Sequence, residues 1–254
     1  MKNIKFFIGL LLVNISCVPK EENQESIISD GAQVSTRSNA VWDYPMKPDM
    51  DEWKTFQTYE EMVKSCQIPE NILFLLSTED LTEICLQYPL LYCVFAFNFL
   101  SDGLDKMFTD FNGIRELYAR KDASYSLMSR YVQKIQSFSF LDEAHSEVDK
   151  GLFIISISAL EALLSQATKH DIGSHKEILQ CLVDGYEAKL KYIDYFMGFG
   201  FRTNCFSRAH VITSMDKLFI DRLPEKELNL SLYSGMTDKI TIDIINELSY
   251  QLIR

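Results

Sequence analysis

The chain has 254 residues, 47% hydrophobic and 24% charged, with Gly 10 and Pro 6, which excludes collagen-like and low-complexity chains and fits one globular domain or two small ones. Lys+Arg 25 against Asp+Glu 36 leaves a formal net charge of −11 with no basic stripe to offset it, which argues against nucleic acid as a partner. About 200 patterned residues suffice to bury a core without a disulfide or metal staple.

Residues 1–16, MKNIKFFIGLLLVNIS, set Lys2 and Lys5 before an apolar run from Phe6 to Val13. That run is shorter than the roughly 20 apolar residues a membrane span needs and fits a secretory signal peptide. Ser16 and Cys17 match the end of a bacterial lipoprotein signal, with Asn14 where the usual pattern has leucine. Cys17 is therefore the expected lipid anchor, and ordinary signal-peptidase cleavage is the alternative that Asn14 leaves open. Each acyl CH₂ buried in lipid contributes about 0.8 kcal/mol, and more than one chain makes anchoring stable. Loss of the leader removes Lys2 and Lys5 and no acid, so the mature chain is more acidic still. Lys20-Glu21-Glu22, just past the anchor, resembles the surface-export signal of Bacteroidetes lipoproteins. The expected location is the outer membrane, with the cell surface favoured over the periplasm.

From Val18 to about Asp49 there is no hydrophobic periodicity, and EENQESIISDGAQVSTRSN has the composition of a disordered tether. Residues 17–49 are thus expected to be anchor and flexible linker, and 50–254 a single domain. Trp42, Tyr44 and Pro45 mark the end of the linker, where an extended segment is expected to dock on the folded body.

Helix signals then recur at short intervals. Thr58 with Glu61 has capping-box spacing, Ser77 with Asp80 is a looser version, and Ser174 with Glu177 is another. Pro69 and Pro89 follow the cysteine-bearing stretches CQIP and CLQYP, and each is expected to stop one helix and open the next. Asn112-Gly113 is expected to close a helix that starts near Ser101. Asp122 is expected to cap a helix reaching about Gln136, with Leu127, Tyr131 and Ile135 at helical spacing. Residues 152–164, LFIISISALEALL, are apolar on nearly every face, the mark of a buried central helix, and at thirteen residues interrupted by Glu161 they are too short to cross a membrane. Ser174–Phe196 and Ser207–Phe219 are two more expected helices. Thr237–Ile253 is the last, although its ITIDI alternates like a strand. The fold class is all-α, as an irregular helical bundle or a helix-pair superhelix.

Groups able to carry chemistry are sparse. Beyond Cys17 the cysteines are Cys66, Cys85, Cys93, Cys181 and Cys205, an odd number without a Cys-x-x-Cys pair, and core packing is the expected role of each. His170, Asp171 and His175 gather across Gly173-Ser174, the one local cluster of metal-competent or acid–base side chains; a histidine there also complements a helix dipole. His145 lies among acids but forms no His-Glu-x-x-His pattern. Cys205, near Arg202 and His210, is the least implausible cysteine nucleophile. Gly198-Phe199-Gly200 is half of a phosphate-cradling pattern and reads as a helix stop. DGLDKMFTDFNG, from Asp102, fails as a calcium loop because Leu104 and Lys106 fall where oxygen ligands are required. No catalytic set, metal site or cofactor motif is therefore expected. The aromatic runs Tyr92–Phe99 and Tyr192–Phe201 suit either core or a recognition surface.

The stretch VWDYP, EWKTF, CQIPENIL and LST, with FNGIREL further on, resembles a family of uncharacterised Bacteroidetes lipoproteins between Trp42 and Leu117. The resemblance implies an exported, helical, lipid-anchored protein of that phylum and carries over no catalytic residue. The leading expectation is an envelope binding or interaction protein, attached to a membrane through its N-terminal lipid, with a protein or extracellular polymer as partner. Two alternatives stand beside it. One is an enzyme whose site is assembled from distant residues, His170, His175 and Cys205 foremost; the other is an acidic inhibitor or immunity protein with a basic partner.

Overall fold

The computed structural model describes residues 42–170, 172–216, 218–219 and 239–254, and among these every regular element is helical. The leader, Cys17, Lys20-Glu21-Glu22 and the rest of the chain before Trp42 lie outside the described residues, as does Asp171.

The segment around Tyr44 docks on the helical body ahead of residue 50. Tyr44 is buried, its hydroxyl donates to the Ile84 carbonyl at 2.8 Å, and its ring meets the edge of Trp42 at 4.7 Å. Trp53 follows in a short 3₁₀ turn, Glu52–Thr55, with its ring also buried. Helix α1 (Tyr59–Ser65) opens with both bonds of the Thr58–Glu61 capping box, which satisfy orphan N–H groups at its start. Pro69 opens the single-turn α2 (Glu70–Leu73), and the Ser77 hydroxyl accepts from Asp80 N at the start of α3 (Thr78–Leu86). Pro89 leads instead into a 3₁₀ turn, Leu91–Ala96.

Asn112-Gly113 does not close a helix. Helix α4 (Leu100–Asp110) stops at Phe111, and Asn112 already begins α5 (Asn112–Ala119). The Asn112 amide accepts from Ile68 N at 3.0 Å and donates to Ile68 O at 2.7 Å. That clamp commits the side chain to the α1–α2 connection and leaves one extended residue, Phe111, between the helices, with its ring stacked on Tyr88 at 4.1 Å.

Helix α6 (Ala123–Gln136) ends where expected, but Asp122 does not cap it, because its carboxylate accepts from Thr78 Oγ1 at 2.9 Å. After a 3₁₀ turn, Phe138–Asp142, comes α7 (Glu147–Lys169), longer than its apolar run suggested. Its 23 residues are long and apolar enough to cross a membrane by length and composition, which corrects the shorter reading. Of the most apolar window, 67% is buried among other helices, and Glu161 in its middle is ion-paired to Lys189. That is the pattern of a core helix.

Helix α8 (His175–Leu190) breaks before Phe196, and a single turn, α9 (Ile193–Phe196), precedes α10 (Phe199–Met215). Gly198 sits between them at φ 78°, a left-handed conformation that favours glycine, so the chain stops at Gly198 and restarts at once. Helix α10 thus begins about two turns before the expected Ser207. In α11 (Lys239–Ile253) the alternating ITIDI is helical, and Thr241, Ile245 and Leu248 fall on one buried face.

Helix α7 is the axis of the molecule: α6, α8 and α10 pack around it, α11 lies across α8 and α10, and α3–α5 form a second layer against α6 and α7. One helix shared by so many neighbours makes an irregular bundle; a superhelix would stack repeats that touch only their neighbours.

Candidate functional site

Among the described residues, the side chains singled out in the sequence have separate surroundings and form no group of three metal-competent residues. His170 stacks on Phe108 and Tyr118, with ring centroids 4.4 and 5.0 Å apart, and burial pushes its imidazole below the ordinary value, leaving it neutral at neutral pH. His175 Nδ1 lies 3.0 Å from Ser214 Oγ on a different helix. Cys205 is buried inside α10 while Arg202 is exposed, and His210 packs on Phe206 at 4.3 Å. Cys66, Cys85 and Cys181 are buried; loss of solvation pushes the Cys66 thiol to about 11 and the Cys181 thiol to about 12, so both stay protonated and unreactive. Asp102 and the acids after it lie in helix α4 rather than a loop, and no group of three metal-competent side chains occurs among the described residues.

Two polar constellations do stand out, and neither was identified from sequence. The first is sealed in the bundle. Glu161 Oε1 accepts from Lys189 Nζ at 2.6 Å, Asn204 Nδ2 at 2.8 Å and the Tyr131 hydroxyl at 2.5 Å, all four residues having no exposed surface. Lys189 also donates to Gly200 O at 2.9 Å. Arg208 continues the chain, donating to Asn204 Oδ1 at 2.9 Å and Asn246 Oδ1 at 2.8 Å, with its guanidinium 4.4 Å from the centre of the Tyr186 ring. Tyr131 reaches Glu161 because Gly185 stands in its way without a side chain; a Cβ there would meet the hydroxyl at 1.9 Å. Five helices, α6, α7, α8, α10 and α11, meet in this cluster. Burial pulls Lys189 down and, with the Glu161 charge, holds Tyr131 well above its ordinary value. Its side chains are buried and bonded from helix to helix, an arrangement that fixes helix register.

The second constellation faces solvent. Two adjoining depressions of about 500 and 400 Å³ share Tyr92, Lys134, Phe153 and Ser156 and form one groove. Helix α6 supplies Arg130 and Lys134 at i,i+4, and α7 supplies Phe153, Ser156 and Leu160 along one face. Helix α3 adds Glu83 and Leu86; the far end is closed by Phe140, His145, Asp149 and Leu152. Most of its charged groups are engaged, by a counter-ion or by a hydroxyl. Arg130 Nε lies 2.5 Å from Glu83 Oε1, Asp149 accepts from the Ser146 hydroxyl at 2.6 Å, and His145 Nε2 sits 3.0 Å from Glu143. Ser156 Oγ donates to the Phe153 carbonyl at 2.7 Å instead of facing a base. Lys134 differs: half-buried, its Nζ lies 5.1 Å from the centre of the Phe153 ring, and no carboxylate among the described residues comes within ion-pair distance. Loss of solvation pulls its ammonium below the ordinary lysine value, with the Glu83 charge opposing. The usable sequence signals were the Arg130/Lys134 spacing and the start of the Tyr92–Phe99 run; Phe153 read only as core.

The two aromatic runs also meet, through Phe95 and Phe199 edge-on at 4.9 Å, beside the exposed Met197 and Ile193. Tyr92, at the start of the first run, belongs to the groove. No protein-family model matches the chain, no curated protein matches it, and no solved structure matches it, so the groove itself is the ground for a functional reading.

Proposed function

We propose that this chain is a lipid-anchored binding protein of the cell envelope, held to the outer membrane through Cys17 and displaying the α3–α6–α7 groove to a ligand or to an extracellular polymer. The observation that carries the reading is the groove: aromatic walls, one lysine without a carboxylate partner, and a floor shared by two depressions. Pockets of about 300–1,000 Å³ with apolar walls and a few placed polar groups are the usual form of a ligand site. A flexible linker of the expected length reaches about 30 Å, at 5–6 Å times the square root of its residues, which suits capture near a membrane.

Two measurements test the reading. Protease added to intact cells should digest the domain, and Cys17→Ala should leave the membrane fraction; protection until lysis moves the protein to the periplasm, and a membrane-bound alanine variant removes the anchor. Thermal unfolding of the detergent-solubilised lipoprotein against a panel of small ligands and glycans tests binding. Ligands should raise Tm in the parent and not in Ser156→Trp, which fills the shared floor; equal shifts in both would take binding away from the groove.

A further inference from the structure

We infer that the groove selects small amphipathic carboxylates, with Lys134 binding the carboxylate and Phe153 and Tyr92 receiving an apolar body. The inference rests on the reading of the groove as the binding site and adds the chemistry of what enters it.

Charge complementarity carries it. Two carboxylates line the groove, Glu83 and Asp149. Glu83 is held by Arg130 at 2.5 Å, and Asp149 accepts from the hydroxyl of Ser146, whose oxygen in turn accepts from Asp149 N at 3.1 Å to cap α7. His145 is turned to Glu143 and stacked on Phe140 at 3.8 Å. Lys134 is the groove cation with no carboxylate within ion-pair distance among the described residues: its ammonium has three N–H donors, its Nζ lies 5.1 Å from the centre of the Phe153 ring, and the Glu83 charge acts on it from beyond contact. A ring attracts a cation but accepts none of those donors in ordinary hydrogen-bond geometry. A carboxylate would accept them and form a charge-assisted bond in a partly dehydrated place, where such bonds are strongest.

The same accounting limits the ligand. One uncommitted cation matches one negative charge, and a second charge on the ligand would approach Glu83 or Asp149 at either end of the groove. A cationic ligand would meet Arg130 and Lys134. Tyr92, Phe140, Leu152 and Phe153 offer apolar area that a strongly hydrated anion such as inorganic phosphate leaves unused. Space of about 400–500 Å³ takes a body of one to three rings.

The test uses 1-naphthoate and its neutral counterpart 1-naphthamide, titrated calorimetrically into the full-length lipoprotein in detergent, with Lys134→Met, Lys134→Arg and Ser156→Trp alongside. The parent should bind naphthoate at least about tenfold more tightly than naphthamide, a margin of about 1.4 kcal/mol. Lys134→Met should erase that preference, Lys134→Arg should keep it, and Ser156→Trp should abolish binding of both. Equal affinity for the two probes, both lost in Ser156→Trp, overturns the carboxylate inference and leaves the groove standing. Binding that survives Ser156→Trp, or no binding of either probe, overturns the inference and removes support from the groove. Unchanged thermal unfolding of Lys134→Met in the absence of probe separates loss of a ligand contact from loss of the fold.

Discussion

Lys189 and Lys134 are both drawn away from water by helix packing, yet the molecule treats them in opposite ways. Lys189 has no exposed surface, and its ammonium is met by a carboxylate and a backbone carbonyl at 2.6 and 2.9 Å. Lys134 stops halfway, over an aromatic ring at the wall of a groove. A buried charge that loses its partner is costly, so the Lys189 cluster ties five helices to one geometry. A half-buried cation without a carboxylate costs the fold little to change and leaves its donors to whatever arrives. The contrast separates charge built into the core from charge left at the surface without a carboxylate partner.

The sharpest way to break the comparison is Lys189→Met. It leaves Glu161 charged and buried, and urea unfolding should show a loss of about 3–5 kcal/mol. Adding Glu161→Gln should restore part of that loss, because the uncompensated charge disappears with it. Full additivity of the two would mean that the pair is not coupled.

Alkaline titration comes next. Burial raises the Cys85 thiol, and burial with its neighbours holds Tyr118 and Tyr131 well above the ordinary 10. The unfolded chain ionises at these positions first, so their contribution to stability is complete below pH 9 and is lost as pH climbs past 9 and then 10. Each such group adds a slope of about 1.4 kcal/mol per pH unit while only the unfolded form is ionised. Exposed tyrosines such as Tyr125 ionise in the folded chain, but the last tyrosinates to form should appear together with loss of helical circular dichroism; ionisation of all twelve tyrosines in a chain that stays helical would contradict the sealed cluster.

Gly185→Ala places a methyl where the Tyr131 hydroxyl now passes and should cost about 1–3 kcal/mol by overpacking. The smallest effect is the most informative for the open side. Lys134→Met should change unfolding free energy by no more than about 1 kcal/mol, the size of a cation–π contact near the surface. A loss of several kcal/mol would place Lys134 with Lys189 as a structural charge.

Local signals in the sequence survived and distant ones did not. Thr58 and Glu61 form their capping box because both partners lie within one turn, where the backbone alone decides their separation. Asp122 and Asn112 misled for the opposite reason: each spends its side chain on a segment more than forty residues earlier, Thr78 in one case and Ile68 in the other. The alternation of ITIDI gave way to the buried face it shares with Leu248, tertiary packing overriding a weak local preference. Glu161 stood out as a charge in an apolar run, yet its partner Lys189 lies 28 residues further along. The groove draws its walls from α3, α6, α7 and the two 3₁₀ turns that carry Tyr92 and Phe140, so the sequence held only scattered signals of it, the Arg130/Lys134 spacing and the start of the Tyr92–Phe99 run, and His170, His175, His210 and Cys205, which drew attention by type, lie outside its lining.

The docking of Tyr44 has a mechanical consequence. Tyr44, near the start of the described residues, seats its hydroxyl on the Ile84 carbonyl of α3, and the neighbouring residue, Glu83, is the one that grips Arg130 at the groove wall. Were a load applied to the chain before Trp42, Tyr44 would pass it to Ile84 of α3, one residue from the ion pair beside Lys134.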